Sequence, residues 1–258
     1  MIFLYDNSIG GFLTCVFEAY RYGQNAARIL PSNDFQQLTV EENTTVATEP
    51  EKAERVASGI LRRTGRDGLD NVLRVFRTRS ADRDTVIYNY LTLAFQGPEP
   101  RTAATARGGR VLSRFADPRV IAFNGLLAKF NAECHRFLGF TRFRETASGV
   151  LYAPIAPDHD ILEYVMPHFA DRLNGRPFGI FDVNRKLLGL YDGKKYRVGK
   201  TASDPEIELT QTEMNFQALW KRYYDGIAVE ERKSERRRRA FMPERYWKFL
   251  PEIQNDIQ

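Results

Sequence analysis

All three histidines of the chain, His135, His159 and His168, fall between Cys134 and Ala170. Imidazoles this close in sequence raise two chemistries first, metal ligation and acid–base catalysis. A tetrahedral metal site draws on three or four N, S or O ligands, often paired at short spacings. His159 and His168 are nine residues apart, and neither H-x-x-x-H nor C-x-x-C occurs. Hydrogen-bonding histidines are the simpler reading, and no metal or cofactor is expected. Asp158, His159 and Asp160 are consecutive at a strand-to-helix junction, where a carboxylate could orient the imidazole for proton transfer. The same residues read more simply as a helix start, with Asp158 as N-cap and Asp160 facing the positive end of the helix dipole. There is no G-x-S-x-G, P-loop or dinucleotide fingerprint. Cys134 lies mid-helix on an apolar stripe, a poor place for a nucleophile.

Nucleic-acid contact uses residue types that are abundant. In the segment Phe140–Glu145, alternation puts Phe140, Arg142 and Arg144 on one strand face, guanidinium groups for phosphate beside a ring that can stack on a base. Arg136 precedes them on a helix, and His159 stands at the rim. The C-terminal part repeats the combination, with Arg236, Arg237, Arg238 and Arg239 followed by Arg245, Tyr246 and Lys248. Trp247 reads as buried, because the segment WKFLP has the character of an anchoring tail. In the polar loop 97–109, Arg101, Arg107 and the adjoining Arg110 are further basic groups, read as solvated.

Charge distribution agrees with this emphasis. The 258-residue chain carries a net charge of +5, and the stretch Arg232–Arg239 alone accounts for all of it. A neutral body with one basic segment points to a polyanion partner more than to a generally adhesive surface. Hydrophobic residues make up 43% of the chain, enough for an ordinary buried core. Two cysteines, Cys15 and Cys134, are too few for a disulfide scaffold and read as buried thiols. The N-terminal apolar run ends at Asp6 and lacks a basic flank, so it does not read as a signal peptide. No run approaches the roughly 20 apolar residues of a bilayer span. A cytoplasmic protein without membrane contact is expected.

The elements that would position these groups follow from periodicity. Ile2–Tyr5 reads as a strand, Gly11–Arg21 as a helix, and residues 22–47 as a long polar connection. Thr48 and Glu51 match a capping box opening a helix to about Arg63. Gly65 and Gly68 separate it from a short helix bearing Leu69, Val72, Leu73 and Phe76, and Asp82–Phe95 gives another. Residues 97–110 are the best internal boundary, dividing a mainly helical part, 1–96, from an antiparallel part, 111–258, in one compact domain. Asp117-Pro118 starts a core helix to Phe137, with Gly139 as its stop. Strands are expected at Phe140–Glu145, Val150–Ile155, Pro177–Val183, Lys186–Tyr191 and Tyr196–Val198, with a helix at Ile161–Leu173. Thr210 and Glu213 form a second capping box, and the helix after it carries Phe216, Leu219, Trp220, Tyr223 and Ile227 on its apolar side. The fold class is α+β: a helical N-terminal part, then an antiparallel sheet of about five strands with helices packed on it.

The segments YDNSIGGFLTCVFEAY (5–20), FLGFTRFRETASGVLYAPIAPDHDIL (137–162), HFADR (168–172), QALWKRYYDGIAVEER (217–232) and MPERYWKFLPE (242–252) resemble an uncharacterised bacterial family labelled "probable DNA metabolism protein". Members occur alone or joined to a uracil-DNA-glycosylase-like domain, usually encoded beside a radical-SAM protein thought to act on DNA. The resemblance implies a role in DNA repair or modification, with DNA, the radical-SAM protein and a separate glycosylase-like protein as partners, and supplies no catalytic mechanism. Two positions depart from it: Asn7 stands where the first turn has Gly, and Ser234-Glu235 stand where Asn-Pro is expected, which leaves the preceding helix free to run on into the arginines. Three readings follow: a DNA-binding accessory or specificity subunit, a DNA-processing enzyme centred on His159, and an adaptor docking through its aromatic tail.

Overall fold

The computed structural model describes residues 1–23, 28–34, 42–96, 116–227 and 234–253. The chain divides into two compact units, Met1–Phe130 and Asn131–Gln258, and the division falls within one helix. The boundary expected at 97–110, with Arg101, Arg107 and Arg110, lies outside the described residues.

The first unit is built on β1 (Ile2–Tyr5), all four residues of which are buried. It is flanked in parallel by β2 (Arg28–Pro31) and β3 (Asn43–Thr45), giving the order β2-β1-β3. This corrects the expectation of a strandless connection over 22–47. β3 is only Asn-Thr-Thr and fully exposed, so no apolar alternation marks it. α1 (Ile9–Tyr22) begins at Ser8, whose side chain accepts from the Gly11 amide at 2.9 Å. Asn7, in the turn before it, has φ 61, the left-handed region that glycine adopts freely and asparagine tolerates best after it.

α2 (Pro50–Phe76) joins the two helices expected there into one element kinked at Gly65, whose φ is 76. Its capping box does not form: Glu49 is the N-cap without a side-chain bond, and the Thr48 hydroxyl donates to Asp6 Oδ2 at 2.9 Å. α3 (Arg83–Ala94) follows. Phe3, Phe12, Val16, Ile60, Val72, Ile87 and Tyr90 belong to one apolar core. Within it the Tyr5 hydroxyl donates to the buried Asp84 carboxylate at 2.9 Å. Burial pushes the Cys15 thiol up to about 12, so it is an inert thiol of the core.

α4 (Pro118–Phe140) carries the chain into the second unit. The Asp117 carboxylate accepts from the Arg119 amide at 2.9 Å, as expected for that start. The helix passes through Gly139 and ends only at Phe140; the Thr141 hydroxyl donates back to the Phe137 carbonyl at 2.6 Å. The strand expected over Phe140–Glu145 therefore contracts to β4 (Arg144–Glu145). Cys134 is half-buried rather than buried.

β5 (Leu151–Ile155), α5 (Leu162–Arg172), β6 (Phe178–Asp182), β7 (Leu187–Tyr191) and β8 (Tyr196–Lys200) complete a five-stranded sheet in the order β4-β5-β6-β7-β8. It is mostly antiparallel. β5 and β6 are parallel, because the α5 crossover between them returns the chain to the same end of the sheet. α5 packs on the face that carries Gly189, where an added Cβ would meet the Met166 sulfur at 2.7 Å. α6 (Gln211–Ile227) starts with the Glu213 amide donating to the Thr210 hydroxyl at 3.0 Å. α7 (Glu235–Phe241) and a 3-10 turn, Glu244–Phe249, lead to the end of the described chain. Among the described residues, no helix is long and apolar enough to cross a membrane.

Candidate nucleic-acid interface

Beyond Thr141 the chain alternates sides. The Phe143 ring packs edge-on against Phe169 and Phe178, at centroid distances of 5.1 and 5.5 Å. With Phe143 anchored in this way, Arg142 and Arg144 both line one cavity of about 530 Å³, together with Arg172 at the end of α5 and Phe216 and Trp220 from α6. Arg142 and Trp220 are held by the same carboxylate. Arg142 Nε and Nη2 donate to Glu252 Oε1 at 3.1 and 2.7 Å, and Trp220 Nε1 donates to Glu252 Oε2 at 3.2 Å. Glu252 is buried, so this part of the C-terminal tail fixes two of the cavity's groups.

Arg144 is in a different state. Its Nε is buried with no hydrogen-bond partner. Burial holds its pKa below the usual arginine value, against the opposing influence of Glu213 and Tyr152. Glu213 does not reach it with a hydrogen bond; its two oxygens accept from the Glu145 amide at 3.0 Å and from Gln217 Nε2 at 2.8 Å. Because an arginine keeps its proton under all ordinary conditions, Arg144 is a desolvated cation facing a cavity. Arg172 is exposed at the same cavity.

Other residues expected at a nucleic-acid surface lie elsewhere. Phe140 ends α4 and packs against Tyr246 at 5.6 Å, so it shares no strand face with Arg142 and Arg144. Tyr246 is 3% exposed. Its ring is edge-on to Phe137 at 5.0 Å with the Arg245 guanidinium 5.0 Å from its centroid, and stacking on a base would require it to leave this packing. Trp247 is buried as read from the sequence, its Nε1 donating to the Met242 carbonyl at 2.9 Å. Arg136 is half-buried on α4, and Lys248 is exposed.

The arginine run is divided by its own helix. Ser234 is the N-cap of α7 and its side chain accepts from the Arg237 amide, so the arginines belong to a separate helix rather than to a continuation of α6. Arg238 lies 4.6 Å over the Trp247 ring, and Arg239 pairs with Glu244 at 2.9 Å and with Glu235 at 3.3 Å. Arg236 and Arg237 are exposed and make no ion pair among the described residues. Arg232 and Lys233 lie outside the described residues.

His159 belongs to a second constellation. The buried Glu133 carboxylate of α4 accepts from the Asp158 amide at 3.0 Å and the His159 amide at 2.7 Å. The Tyr246 hydroxyl donates to the same group at 3.4 Å. From the other side Arg185 donates to the Pro157 carbonyl at 3.0 Å, to Asp182 Oδ2 at 2.9 Å, and to the Asp158 carbonyl. The loop is thus pinned through its backbone. Asp158 does not cap α5, whose N-cap is Ile161; its carboxylate pairs with Arg245 Nη1 at 2.8 Å. Burial lowers the pKa of His159, opposed by Glu133 and Asp158, so the imidazole is neutral at pH 7. His135 and His168 are exposed, and no group of three His, Cys, Asp or Glu among the described residues could hold a metal ion.

Arg172, Trp220 and Glu252 were not legible as site residues. Trp220 lay on a helix's apolar side with nothing to mark it as a site residue, and the Arg142–Glu252 pair spans 110 residues, with no local signal. Glu133, Asp182 and Arg185 were equally silent, since a buried carboxylate binding remote backbone amides leaves no spacing pattern. A family model described as a domain of unknown function, DUF4130, matches residues 81–252. No curated protein matches the chain.

Proposed function

The chain belongs to that family, and we propose that it is a DNA-binding accessory protein, acting, as the resemblance implies, in DNA repair or modification. One observation carries the reading. In residues 131–258 seven arginines, Arg136, Arg144, Arg172, Arg197, Arg222, Arg236 and Arg237, make no ion pair among the described residues. An isolated exposed arginine is an ordinary solvated group. Here two of the seven, Arg144 and Arg172, line a cavity walled by aromatic rings, the combination by which single strands are held, phosphate on guanidinium and base on ring.

Fluorescence anisotropy of labelled single- and double-stranded DNA over a salt series tests this. Phosphate contacts make log K fall linearly with log salt, at about 0.7 to 0.9 per contact. The Arg236→Ala/Arg237→Ala variant is expected to flatten that slope by about 2. Absence of binding by the wild type even at low salt would remove the reading.

The resemblance supplies the companions of this role, a radical-SAM protein and a separate glycosylase-like protein. α6 bares an apolar side suited to the former, with Phe216, Leu219, Tyr223 and Ile227 all more than half exposed. Co-purification with the radical-SAM protein that survives Leu219→Asp and Tyr223→Asp would exclude α6 from that contact.

A further inference from the structure

We infer that the cavity between β4, α5 and α6 is a subsite for one unpaired nucleotide, its phosphate on Arg144 and Arg172 and its base against Trp220 and Phe216. The inference rests on the DNA-binding reading and goes further by assigning a ligand to a defined cavity. Three features specify that ligand. The first is charge: Arg144 and Arg172 line the cavity as permanent cations that make no ion pair among the described residues, which favours an anionic occupant. The second is shape. The Phe143, Phe216 and Trp220 rings form much of the lining, which suits a planar ring, and sequence-tolerant stacking needs only a π-face. The third is size: 530 Å³ lies within the roughly 300–1,000 Å³ of sites that take a single drug-sized ligand, and leaves no room for a duplex. A nucleotide joins a phosphate and a planar base on one short scaffold.

The cavity is also preorganised. Glu252 fixes Trp220 through its indole N–H and Arg142 through two guanidinium nitrogens. Arg142 is thereby neutralised locally, while Arg144 and Arg172 keep their charge for the ligand. Glu213 and Gln217 stand in the same lining, polar groups able to meet the edge of a base.

Two sources present this chemistry, a nucleotide unpaired within a strand and a free mononucleotide. The test compares three probes at one salt concentration: a duplex with a single-nucleotide bulge, its fully paired parent, and free dAMP as competitor. The full-length protein is used, with Arg144→Gln and Trp220→Ala. Tighter binding of the bulged duplex than of its parent, a preference reduced by about tenfold in each variant, is the expected result. Competition by dAMP that vanishes in Arg144→Gln supports the same subsite with a free nucleotide as ligand. Arg144→Gln removes a desolvated charge that has no partner, so its melting temperature should equal or exceed that of the wild type, and a binding loss is then not an unfolding effect. Equal binding of both duplexes, unchanged in both variants and insensitive to dAMP, overturns the subsite while leaving DNA binding intact. No binding of any probe overturns both.

Discussion

Glu133→Ala tests how the His159 loop is held. The Glu133 side chain is 2% exposed and accepts from two backbone amides, Asp158 and His159, and from the Tyr246 hydroxyl. Truncation orphans both amides. A buried donor left without a partner costs about 1–3 kcal/mol. These residues are half-buried, so the lower part of that range applies, about 1 kcal/mol for each amide. The lost tyrosine bond and the space left by the carboxylate add about 1–2 kcal/mol more, for a total of about 3–4 kcal/mol. Asp158→Asn is the contrast. It breaks an ion pair whose partners, Arg245 and Asp158, are 44% and 38% exposed, and pairs of that kind contribute about 0–1 kcal/mol.

Urea unfolding followed by tryptophan fluorescence measures both variants. The chain has two tryptophans, Trp220 and Trp247, and both lie in the second unit, so the signal reports the unit under test. With a urea dependence of about 2 kcal/mol per molar, Glu133→Ala should lower the midpoint by about 1.5–2 M and Asp158→Asn by less than about 0.5 M. Equal shifts for the two variants would show that the loop is not held by its amides, and the argument from Glu133 would fall.

The pH dependence of the same transition reports on His159. Burial lowers its folded-state pKa, so the unfolded chain takes up the proton first as pH falls through its ordinary value of about 6.5. Stability is therefore fully present above that pH and declines between it and the depressed folded-state value. His159→Gln should lessen the fall in midpoint between about pH 7.5 and 5.5; identical pH slopes in the two proteins would contradict the assignment. Gly193 has φ 95, and a Cβ there would stand 2.7 Å from the Gly175 carbonyl oxygen. Gly193→Ala should cost about 1–3 kcal/mol in the urea assay, and an unchanged midpoint would show that the β7–β8 turn relaxes freely.

Local pattern determined much of this protein. Apolar spacing marked α3 and α5, alternation and turn residues marked β5 to β8, and Asp117-Pro118 marked the start of α4. The left-handed turn at Asn7 agrees with the glycine implied by the resemblance, and Trp247 read correctly as an anchor. These features depend on neighbours a few residues apart. Those missed depend on distant partners. β3 is three exposed polar residues and is a strand only because β1 lies beside it. Phe140 fits the alternation of Phe140–Glu145 and equally the last turn of α4; packing against Tyr246 and the Thr141 bond to Phe137 go with the helical outcome. α6 has a clear apolar side, but amphipathicity cannot say what covers that side, and within this chain much of it stays exposed.

The candidate site divides in the same way. Arg142 and Arg144 were visible because they sit two residues apart with Phe143 between them, and alternation sends both to one side. What only the tertiary structure decided is that they differ. Glu252, reaching Arg142 across 110 residues, neutralises that charge, while Arg144 is half-buried, its inaccessible Nε unpaired, beside Arg172 and Trp220. Residue type fixes that both are cations; burial and the nearest carboxylate fix which of them has charge left for a ligand.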